Sequence, residues 1–425
     1  MTKIAIIGAG LSGLMSALIL SKETDVKVTI FEKGQPYSNR LLSKEANMLQ
    51  GVGGAGTISG GKLCFPPASS GVWKKTGLEI SDFKLFTNKY LKTLLNNDIL
   101  DALNTSYFYT MSKSKIINKN FETKLLLGQE MQCFINTLLV QLKKQDVIIR
   151  TNTNFKNCRK IENSVILHFN NENDEPCMES FDYIIIASGR SSAKDIYEWL
   201  PVNYLEQVSP DLGIRLSIET NENEIFSGYG KDIKLKSNYG NISARTFCVC
   251  SGGNKTLINY EGQQYFDGHF GDVLSNIVNF GILVRNKDII GVNNAIKFCK
   301  ELGGFTGEDI SLKDILIHKT KFLRSNSRFS YVLETINYFV NQLVNDGYIS
   351  ANLDKYQVFM PSIDRLNPVI FTNKYFETAQ ENIYVVGDAA GVSRGFIQSM
   401  WSAFFASENI LWKLALQEHT KKKAA

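Results

Sequence analysis

The feature that most constrains the fold is a glycine pattern directly after an apolar run at the start of the chain. Residues 3–7 read KIAII, and residues 8–13 read GAGLSG, with the spacing G-x-G-x-x-G. An isoleucine-rich run that ends at glycine is typical of a buried parallel strand. Apolar residues at helical spacing over 12–22 predict a helix, and residues 26–31, VKVTIF, predict a second strand. The sequence therefore predicts a β-α-β unit that opens an α/β domain.

In this context the glycine pattern indicates a dinucleotide site. The first glycine makes a tight turn, the second lets a pyrophosphate approach the backbone, and the third lets helix and strand pack closely. Free N–H groups at the helix N-terminus face the phosphates. Glu32 follows the second strand, 19 residues after Gly13, where its carboxylate can accept both hydroxyls of an adenosine ribose. The alternative is a chance glycine turn followed by a solvated glutamate.

A second glycine cluster, GVGGAGTISGGKL at 51–63, has six glycines in its first eleven residues. Each glycine inside an element costs about 0.5–1 kcal/mol relative to alanine, so the cluster needs a reason. One interpretation is a mobile surface loop. The other is a loop whose backbone lies against a ligand, in which case Gly54→Val or Gly56→Val is expected to damage binding more than folding.

Two later stretches resemble the sequence fingerprints of FAD enzymes. NIYVVGDAAGVSRG at 382–395 resembles the second flavin fingerprint, and the resemblance implies that Asp388 binds the ribityl chain and that the next helix points at the flavin pyrimidine. IIIASGR at 184–190 resembles the third fingerprint, with Ser188 in place of the usual threonine. With the first glycine pattern, these stretches imply that the dinucleotide is FAD.

The glycine cluster at 51–63 is similar to the G-x-G-G-A-G-T-x-S-x-G-K-L stretch of a family of bacterial FAD-dependent dehydrogenases. The stretches at 211–219, 244–253 and 387–400 also resemble that family, although this chain has SGGKL where many relatives have SDGKL. The resemblance implies flavin redox chemistry and a glycine loop that lies against the cofactor. Thr57, Ser59 and Lys62 are then expected to reach phosphate or substrate.

The expected cofactor site draws on four parts of the chain. Its residues are Gly8, Gly10, Leu11, Ser12, Gly13, Glu32, Lys33, Gly53, Gly54, Ala55, Gly56, Ser188, Gly189, Gly387, Asp388, Gly395, Phe396 and Ile397.

Candidate catalytic residues are Arg394, His269 and Lys62. Arg394 can add positive charge beside the reduced flavin, or turn outward to a surface carboxylate. His269 is flanked by glycines, which indicates a loop near a ligand, although a lone histidine is more often structural. Arg215 and Arg245 stand in apolar runs, where a buried guanidinium needs either an internal carboxylate, the favoured interpretation, or an anionic substrate.

The predicted reaction is hydride transfer between flavin N5 and a small organic substrate, as in a dehydrogenase or reductase. No second G-x-G-x-x-G follows a strand, so NAD(P)H is expected only as a transient electron donor. The alternatives are a flavin-dependent monooxygenase and a non-catalytic module that retains the FAD fold. No His-Cys cluster indicates a metal.

A chain of 425 residues is too long for one core, which rarely grows beyond about 250–300 residues. The prediction is a Rossmann-like FAD-binding domain, a parallel sheet with helices, interrupted by an inserted α+β substrate or cap domain. The FAD-binding domain is assigned residues 1–79, 125–210 and 356–425, and the second domain residues 80–124 and 211–355.

The net charge of +5 is modest and shows no basic cluster of the kind that binds nucleic acid. No window of 18 uninterrupted apolar residues indicates a membrane span. Seven irregularly spaced cysteines favour a reducing compartment, so a cytoplasmic location is expected. Cys248 and Cys250 are interpreted as small buried hydrophobic residues on one face of a strand, and the oligomeric state stays open.

Overall fold

The structure is a computed structural model of the chain. It describes residues 1–42, 48–58, 60–77, 79–105, 109–113, 116–219, 226, 233–270, 274–303 and 310–424. Its α-helices are α1 (Leu11–Leu20), α2 (Tyr37–Leu42), α3 (Ala55–Ile58), α4 (Ser70–Thr76), α5 (Ile80–Phe86), α6 (Asn97–Thr105), α7 (Gly128–Lys144), α8 (Ile196–Trp199), α9 (Val292–Leu302), α10 (Leu312–Ile317), α11 (Lys319–Phe322), α12 (Ser330–Asn345) and α13 (Phe396–Ala424).

The strands are β1 (Thr2–Ile7), β2 (Val26–Phe31), β3 (Gly61–Cys64), β4 (Tyr109–Lys113), β5 (Ile116–Asn120), β6 (Thr123–Leu126), β7 (Ile148–Arg150), β8 (Asn154–Ile161), β9 (Ser164–Asn170), β10 (Pro176–Phe181), β11 (Tyr183–Ile186), β12 (Leu205–Glu206), β13 (Asp211–Glu219), β14 (Lys234–Tyr239), β15 (Ile242–Ser251), β16 (Asn254–Tyr260), β17 (Gln263–His269), β18 (Ile277–Asn286), β19 (Gln357–Asp364), β20 (Val369–Ile370) and β21 (Ile383–Val385). Short 3-10 helices span Gly189–Ser192, Val202–Tyr204, Leu353–Lys355 and Gly387–Ala390, and one π-helical turn spans Thr87–Leu91.

The chain forms two compact units that alternate along the sequence. The first unit contains residues 1–106, 129–206 and 367–425, and the second contains residues 107–128 and 207–366. The predicted interruption of one domain by another is therefore present. The structure describes no helix, within the residues it covers, that has both the length and the apolar composition needed to span a bilayer.

A five-stranded parallel sheet, in the order β21-β11-β1-β2-β7, forms the core of the first unit. The last four residues of β1 are buried, as expected for an inner strand of a parallel sheet. From β1 the chain moves to β2 and β7 on one side, and later to β11 and β21 on the other. This reversal makes the gap between β1 and β11 a topological switch point, where open α/β sheets bind ligands. The Rossmann-like fold is confirmed.

Residues 80–105 are predicted from the sequence to lie in the second domain, but they belong to the first unit. The physical reason is an aromatic cluster around Trp401 of α13, which is fully buried. Its ring centroid lies 5.5 Å from those of both Phe83 and Phe86. The aromatic residues of 80–105 therefore fill the core of the first unit.

The second unit is built on a seven-stranded sheet in the order β19-β13-β18-β15-β14-β5-β4. Every pairing in it is antiparallel. Helix α12 packs on β15, β18 and β13, and β16 and β17 form a separate two-stranded ribbon. The α+β character is confirmed. Strand β19 pairs with β13 and so lies in this unit, whereas the predicted last FAD-binding segment starts at residue 356.

Candidate functional site

The carboxyl ends of β1, β11 and β21 bring the first glycine turn and both later motifs to one edge of the parallel sheet. A Cβ on Gly8 would lie 2.6 Å from the carbonyl oxygen of Ala187, directly before Ser188. A Cβ on Gly387 would lie 3.0 Å from the Cβ of Ser12 in α1. Segments separated by more than 170 residues along the chain therefore meet at the switch point.

The three glycines of the first pattern differ in what surrounds them, and so in why glycine occurs at each position. A Cβ on Gly8 or on Gly13 would collide with backbone, so the chain's own packing requires glycine at both positions. Gly10 has φ −72° and ψ −180°, which any residue can adopt, and a Cβ there would meet only the Cα of Gly54, at 3.8 Å. Nothing in the described chain accounts for glycine at position 10, whereas a pyrophosphate lying against the backbone does.

The second glycine cluster packs directly on this turn. The N–H of Gly53 donates to the carbonyl of Ala9 at 2.8 Å, and Gly10 and Gly53 form a parallel bridge. Gly54 has φ +75°, and a Cβ on it would lie 2.9 Å from the Cα of Gly10. The expectation that Gly54→Val damages binding more than folding is therefore wrong, because the substitution strains the fold itself. Gly56 fits that expectation better, since a Cβ there would meet only Leu11 Cδ1 at 4.0 Å.

Arg40 of α2 holds the glycine loop in place. Its Nη1 donates to the carbonyls of Gly51, Val52 and Gly54 at 2.6–3.1 Å, and its Nη2 donates to the carbonyl of Met48 at 3.1 Å. Burial lowers the pKa of Arg40 to about 10, against the opposing effect of Glu32, so the guanidinium stays charged at neutral pH. Arg40 could not be predicted from the sequence, because a single arginine outside any motif gives no signal.

Glu32 is buried and ties both glycine segments together. Its Oε2 accepts from the N–H of Ala9 at 2.7 Å, and its Oε1 accepts from the N–H groups of Gly34 and Gly51 at 2.7 and 2.8 Å. A carboxylate offers about four acceptor positions, so about one remains for a ligand. The expectation that Glu32 accepts both ribose hydroxyls stays a prediction, and the bonds to Ala9, Gly34 and Gly51 leave about one acceptor position for it.

Asp388 lies between two arginines after β21. Its Oδ1 is 3.7 Å from Nε of Arg394, and its Oδ2 is 3.7 Å from Nε of Arg190. Arg394 thus lies beside the aspartate of its own motif. The two cations leave positive charge at this end of the sheet.

Asn367 connects the two later motifs and was also missed. Its Nδ2 donates to the carbonyl of Asp388 at 2.8 Å and, more weakly, to that of Gly189 at 3.4 Å. The residue is buried, and its Oδ1 has no hydrogen-bond partner among the described residues. A buried acceptor without a donor is costly unless a ligand or water satisfies it. The side chain therefore suits a group that brings a donor to this junction.

Other expected cofactor residues contribute unequally. Ser12 and Leu11 are buried at the start of α1, and Ser188 shares a hydroxyl–hydroxyl hydrogen bond of 2.6 Å with Ser192. Lys33 is exposed. The side chains of Phe396 and Ile397 are in the core, so only their backbone is available to a ligand. Ala55 begins the short helix α3, and Gly395 directly precedes α13 with φ +119°.

The three expected catalytic residues lie in different units. Lys62 is in β3 and, with Arg394, belongs to the first unit. His269 ends β17 in the second unit, where it pairs with Asn254, so it lies in a strand and not in the expected loop. Ser59 lies outside the described residues.

Arg245 has internal carboxylate partners, as the favoured interpretation predicted. It donates to Asp211 at 2.6 Å and to Asp364 at 2.7 Å, while Arg285 donates to Asp211 at 2.6 Å. Burial alone would raise the pKa of Asp211, but Arg245 and Arg285 together hold it below its usual value. These side chains form a structural network within the seven-stranded sheet.

Comparison with known proteins supports the glycine turn as a nucleotide-binding element. Residues 6–57 match the model of the NAD(P)-binding Rossmann-like domain family. No curated protein sequence matches this chain.

Three solved structures illustrate the similarity at the level of coordinates. CabE, an aromatic hydroxylase from angucycline biosynthesis, is 11% identical with a TM-score of 0.41, and the similarity covers 97% of this chain and 62% of that one. A flavoprotein/dehydrogenase from Cytophaga hutchinsonii is 12% identical with a TM-score of 0.44, covering 96% and 75%. The p-nitrophenol 4-monooxygenase PnpA from Pseudomonas putida DLL-E4 is 12% identical with a TM-score of 0.40, covering 96% and 80%. This chain thus spans less than two thirds of the length of the CabE chain.

Proposed function

We propose that the first unit binds FAD and that the protein is an FAD-dependent oxidoreductase that transfers hydride between flavin N5 and a small organic molecule. The proposal rests on Gly10. A Cβ at this position would meet only the Cα of Gly54, at 3.8 Å, so the packing of the described chain does not require glycine there. A turn that leaves bare backbone at the switch point, next to a helix N-terminus, suits a dinucleotide pyrophosphate. When bound, FAD supplies the redox chemistry, and the protein supplies position and electrostatics.

The residues around the switch point fit the parts of FAD. The N–H groups at the start of α1 suit the pyrophosphate, and the remaining acceptor position of Glu32 suits one ribose hydroxyl. Asp388 suits the ribityl chain, as its motif implies. The free Oδ1 of Asn367 suits a donor on the same ligand.

A dinucleotide of the NAD(P) type would need fewer of these features. It would use the glycine turn but give no role to the motifs that follow β11 and β21, which lie at the same sheet edge. Their resemblance to flavin fingerprints favours FAD as the resident group and NAD(P)H as a transient donor.

The test uses two glycine-to-alanine substitutions in the same turn. Gly10→Ala is expected to leave the unfolding midpoint of the cofactor-free protein unchanged, because its methyl group meets no other atom closely. The same methyl group would lie where the pyrophosphate approaches the backbone, so we expect FAD binding to weaken at least tenfold. Gly13→Ala is the matched control, since its Cβ would collide with the Gly8 carbonyl and should lower the unfolding midpoint. Dissociation constants are measured by flavin fluorescence, and unfolding by circular dichroism. Equal FAD affinity in the wild type and in Gly10→Ala would refute the proposed site.

The reaction class needs a separate measurement. We expect the photoreduced FAD-loaded protein, mixed rapidly with oxygen, to return directly to the oxidised absorbance spectrum. A distinct transient spectrum would instead favour the monooxygenase alternative. Failure to take up FAD at all would favour the non-catalytic alternative.

A further inference from the structure

The second unit contains a pair of cysteines in an arrangement that packing alone does not explain. Cys248 and Cys250 lie near the end of β15, with their Sγ atoms 3.7 Å apart. In a regular strand, side chains two residues apart are separated by about 6.6 Å. Here the register with β18 shifts between Phe247 and Cys250, and Cys248 has φ +42°. A bulge with a left-handed non-glycine residue therefore brings the two thiols together.

A buried cation accompanies the pair. Nη2 of Arg215 lies 3.6 Å from Sγ of Cys250 and donates to the carbonyl of Cys248 at 2.9 Å. The Arg215 side chain is completely buried, and its Nη1 has no hydrogen-bond partner among the described residues. Oδ1 of Asp267 lies 3.7 Å from Nη1 of Arg215, at the long end of ion-pair distances. The positive charge is therefore only loosely compensated and stands directly beside a sulfur.

The geometry around the cation is fixed by its neighbours. Nε of Arg215 donates to Oδ1 of Asn279 at 2.6 Å, and Nδ2 of Asn279 donates to the carbonyl of Gly253 at 2.7 Å. A Cβ on Gly268 would lie 2.7 Å from Sγ of Cys250, so glycine at this position leaves room for the sulfur and the guanidinium. Arg215 and Asn279 thus act as positioning residues for Cys250.

We propose that Cys248 and Cys250 form a reversible redox dithiol, with Arg215 stabilising the thiolate of Cys250. A cation beside a sulfur favours its thiolate, which is the reactive form in thiol–disulfide exchange. Cys248 is half-buried and Cys250 is buried, so Cys248 meets an external reagent and Cys250 resolves the intermediate. A metal site is a poorer explanation, because a guanidinium repels cations and no group of three or more potential ligands occurs among the described residues.

The chemical step balances with a low-molecular-weight disulfide as the oxidant. The Cys248 thiolate attacks one sulfur of the reagent, forms a mixed disulfide and releases one thiolate. The Cys250 thiolate then attacks Sγ of Cys248, forms the internal disulfide and releases the second thiolate. Two electrons pass from the cysteine pair to the reagent, and a dithiol reductant reverses the reaction.

The experiment measures the redox state of one tryptic peptide from the folded full-length protein. Cleavage after Arg245 and Lys255 yields residues 246–255, which contain Cys248 and Cys250 and no other cysteine. The protein is equilibrated in glutathione buffers of graded potential, quenched with acid, alkylated with N-ethylmaleimide and digested. Mass spectrometry then gives the fraction of this peptide that carries an internal disulfide. Cys133 is exposed on α7 and serves as the internal control for unselective oxidation.

We expect a single transition between the doubly alkylated and the internally disulfide-bonded peptide. Because Arg215 stabilises the reduced form, the midpoint in the folded protein should exceed that of the isolated 246–255 peptide by at least about 30 mV, a tenfold change in the equilibrium constant. Arg215→Lys, which keeps a charge but loses the planar fork, should lower the midpoint toward the peptide value.

Two outcomes would overturn the proposal. One is alkylation or separate glutathionylation of both cysteines at every potential, with no internal disulfide. The other is equal redox midpoints in the folded protein and the isolated peptide. That result would show that the bulge and Arg215 do not change the redox potential of two cysteines that are already close in sequence. The comparison between protein and peptide needs no substitution, so it decides the proposal even where Arg215→Lys fails to fold.

Discussion

At the scale of single residues, the glycine loop is held by two side chains of opposite charge, Glu32 and Arg40. Glu32 accepts the backbone N–H groups of Ala9, Gly34 and Gly51, and Arg40 donates to carbonyls of residues 48–54. Both side chains are buried, where each would be costly without such bonds. Glycine supplies the shape of the loop, and the two charged side chains supply its rigidity.

This arrangement predicts that Glu32 contributes to stability even without a cofactor. In Glu32→Gln, the amide has one carbonyl oxygen, so at least one of the three N–H groups loses its acceptor. An unsatisfied buried donor costs about 1–3 kcal/mol, and we expect the free energy of unfolding of the cofactor-free protein to fall by that amount. Urea unfolding followed by circular dichroism measures the change.

The matched control is Glu23→Gln, which neutralises an exposed glutamate. We expect its effect on the free energy of unfolding to stay within about 0.5 kcal/mol. If Glu32→Gln were as mild as this control, Glu32 would not organise the loop.

At the scale of elements, the last helix joins the candidate site to the core. Helix α13 begins with Phe396, directly after the Asp388 motif, and packs along α1. One turn into the helix, Trp401 enters the aromatic cluster with Trp73, Phe83 and Phe86. The cluster fixes the start of α13 and therefore the segment that carries Asp388.

The two tryptophans of α13 allow a direct test of this cluster. Trp401→Ala removes a fully buried ring, and we expect a loss of about 3–5 kcal/mol in the free energy of unfolding. Trp412 is 60% exposed on the same helix, so Trp412→Ala should cost about 0.5 kcal/mol or less. Urea unfolding monitored by circular dichroism compares them, because tryptophan fluorescence changes in both variants. Similar losses in the two variants would contradict the assignment of residues 80–105 to the first unit.

At the scale of the whole molecule, the first unit is assembled from three separate segments of the chain. Its sheet edge depends on β1, β11 and β21, and each of the three segments supplies one of these strands. A ligand that contacts all three strand ends therefore stabilises the folded arrangement against separation of the segments. Such a ligand acts by mass action, because it binds the folded state and not the unfolded chain.

FAD is expected to raise the stability of the folded protein, and FMN is not. Free FAD at 100 times its dissociation constant should add about 2.7 kcal/mol to the free energy of unfolding. FMN lacks the pyrophosphate-linked adenosine that the glycine turn and Glu32 would bind, so the same concentration of FMN should leave the unfolding midpoint unchanged. Calorimetric scans with each flavin measure the difference. Equal stabilisation by FMN would exclude the glycine turn as the binding element.

The β-α-β unit, the first glycine pattern and the strand ends before Ser188 and Gly387 could be predicted from the sequence. Each depends on apolar periodicity or glycine spacing over a few tens of residues, and such patterns are visible in a single chain. The same local signals predicted a parallel sheet and an inserted α+β unit, and both are present.

Only the tertiary structure decided which of these residues meet. Arg40 and Asn367 act through hydrogen bonds from the side chain to backbone carbonyls, and such bonds cannot be predicted from residue spacing. Cys248 and Cys250 are close in sequence, but their two thiols meet only because β15 has a bulge there. The arginine that binds this bulge, Arg215, lies 33 residues before Cys248 in the chain. The physical reason is that glycine spacing encodes local backbone shape, whereas charge satisfaction and packing join segments that fold together from distant parts of the chain.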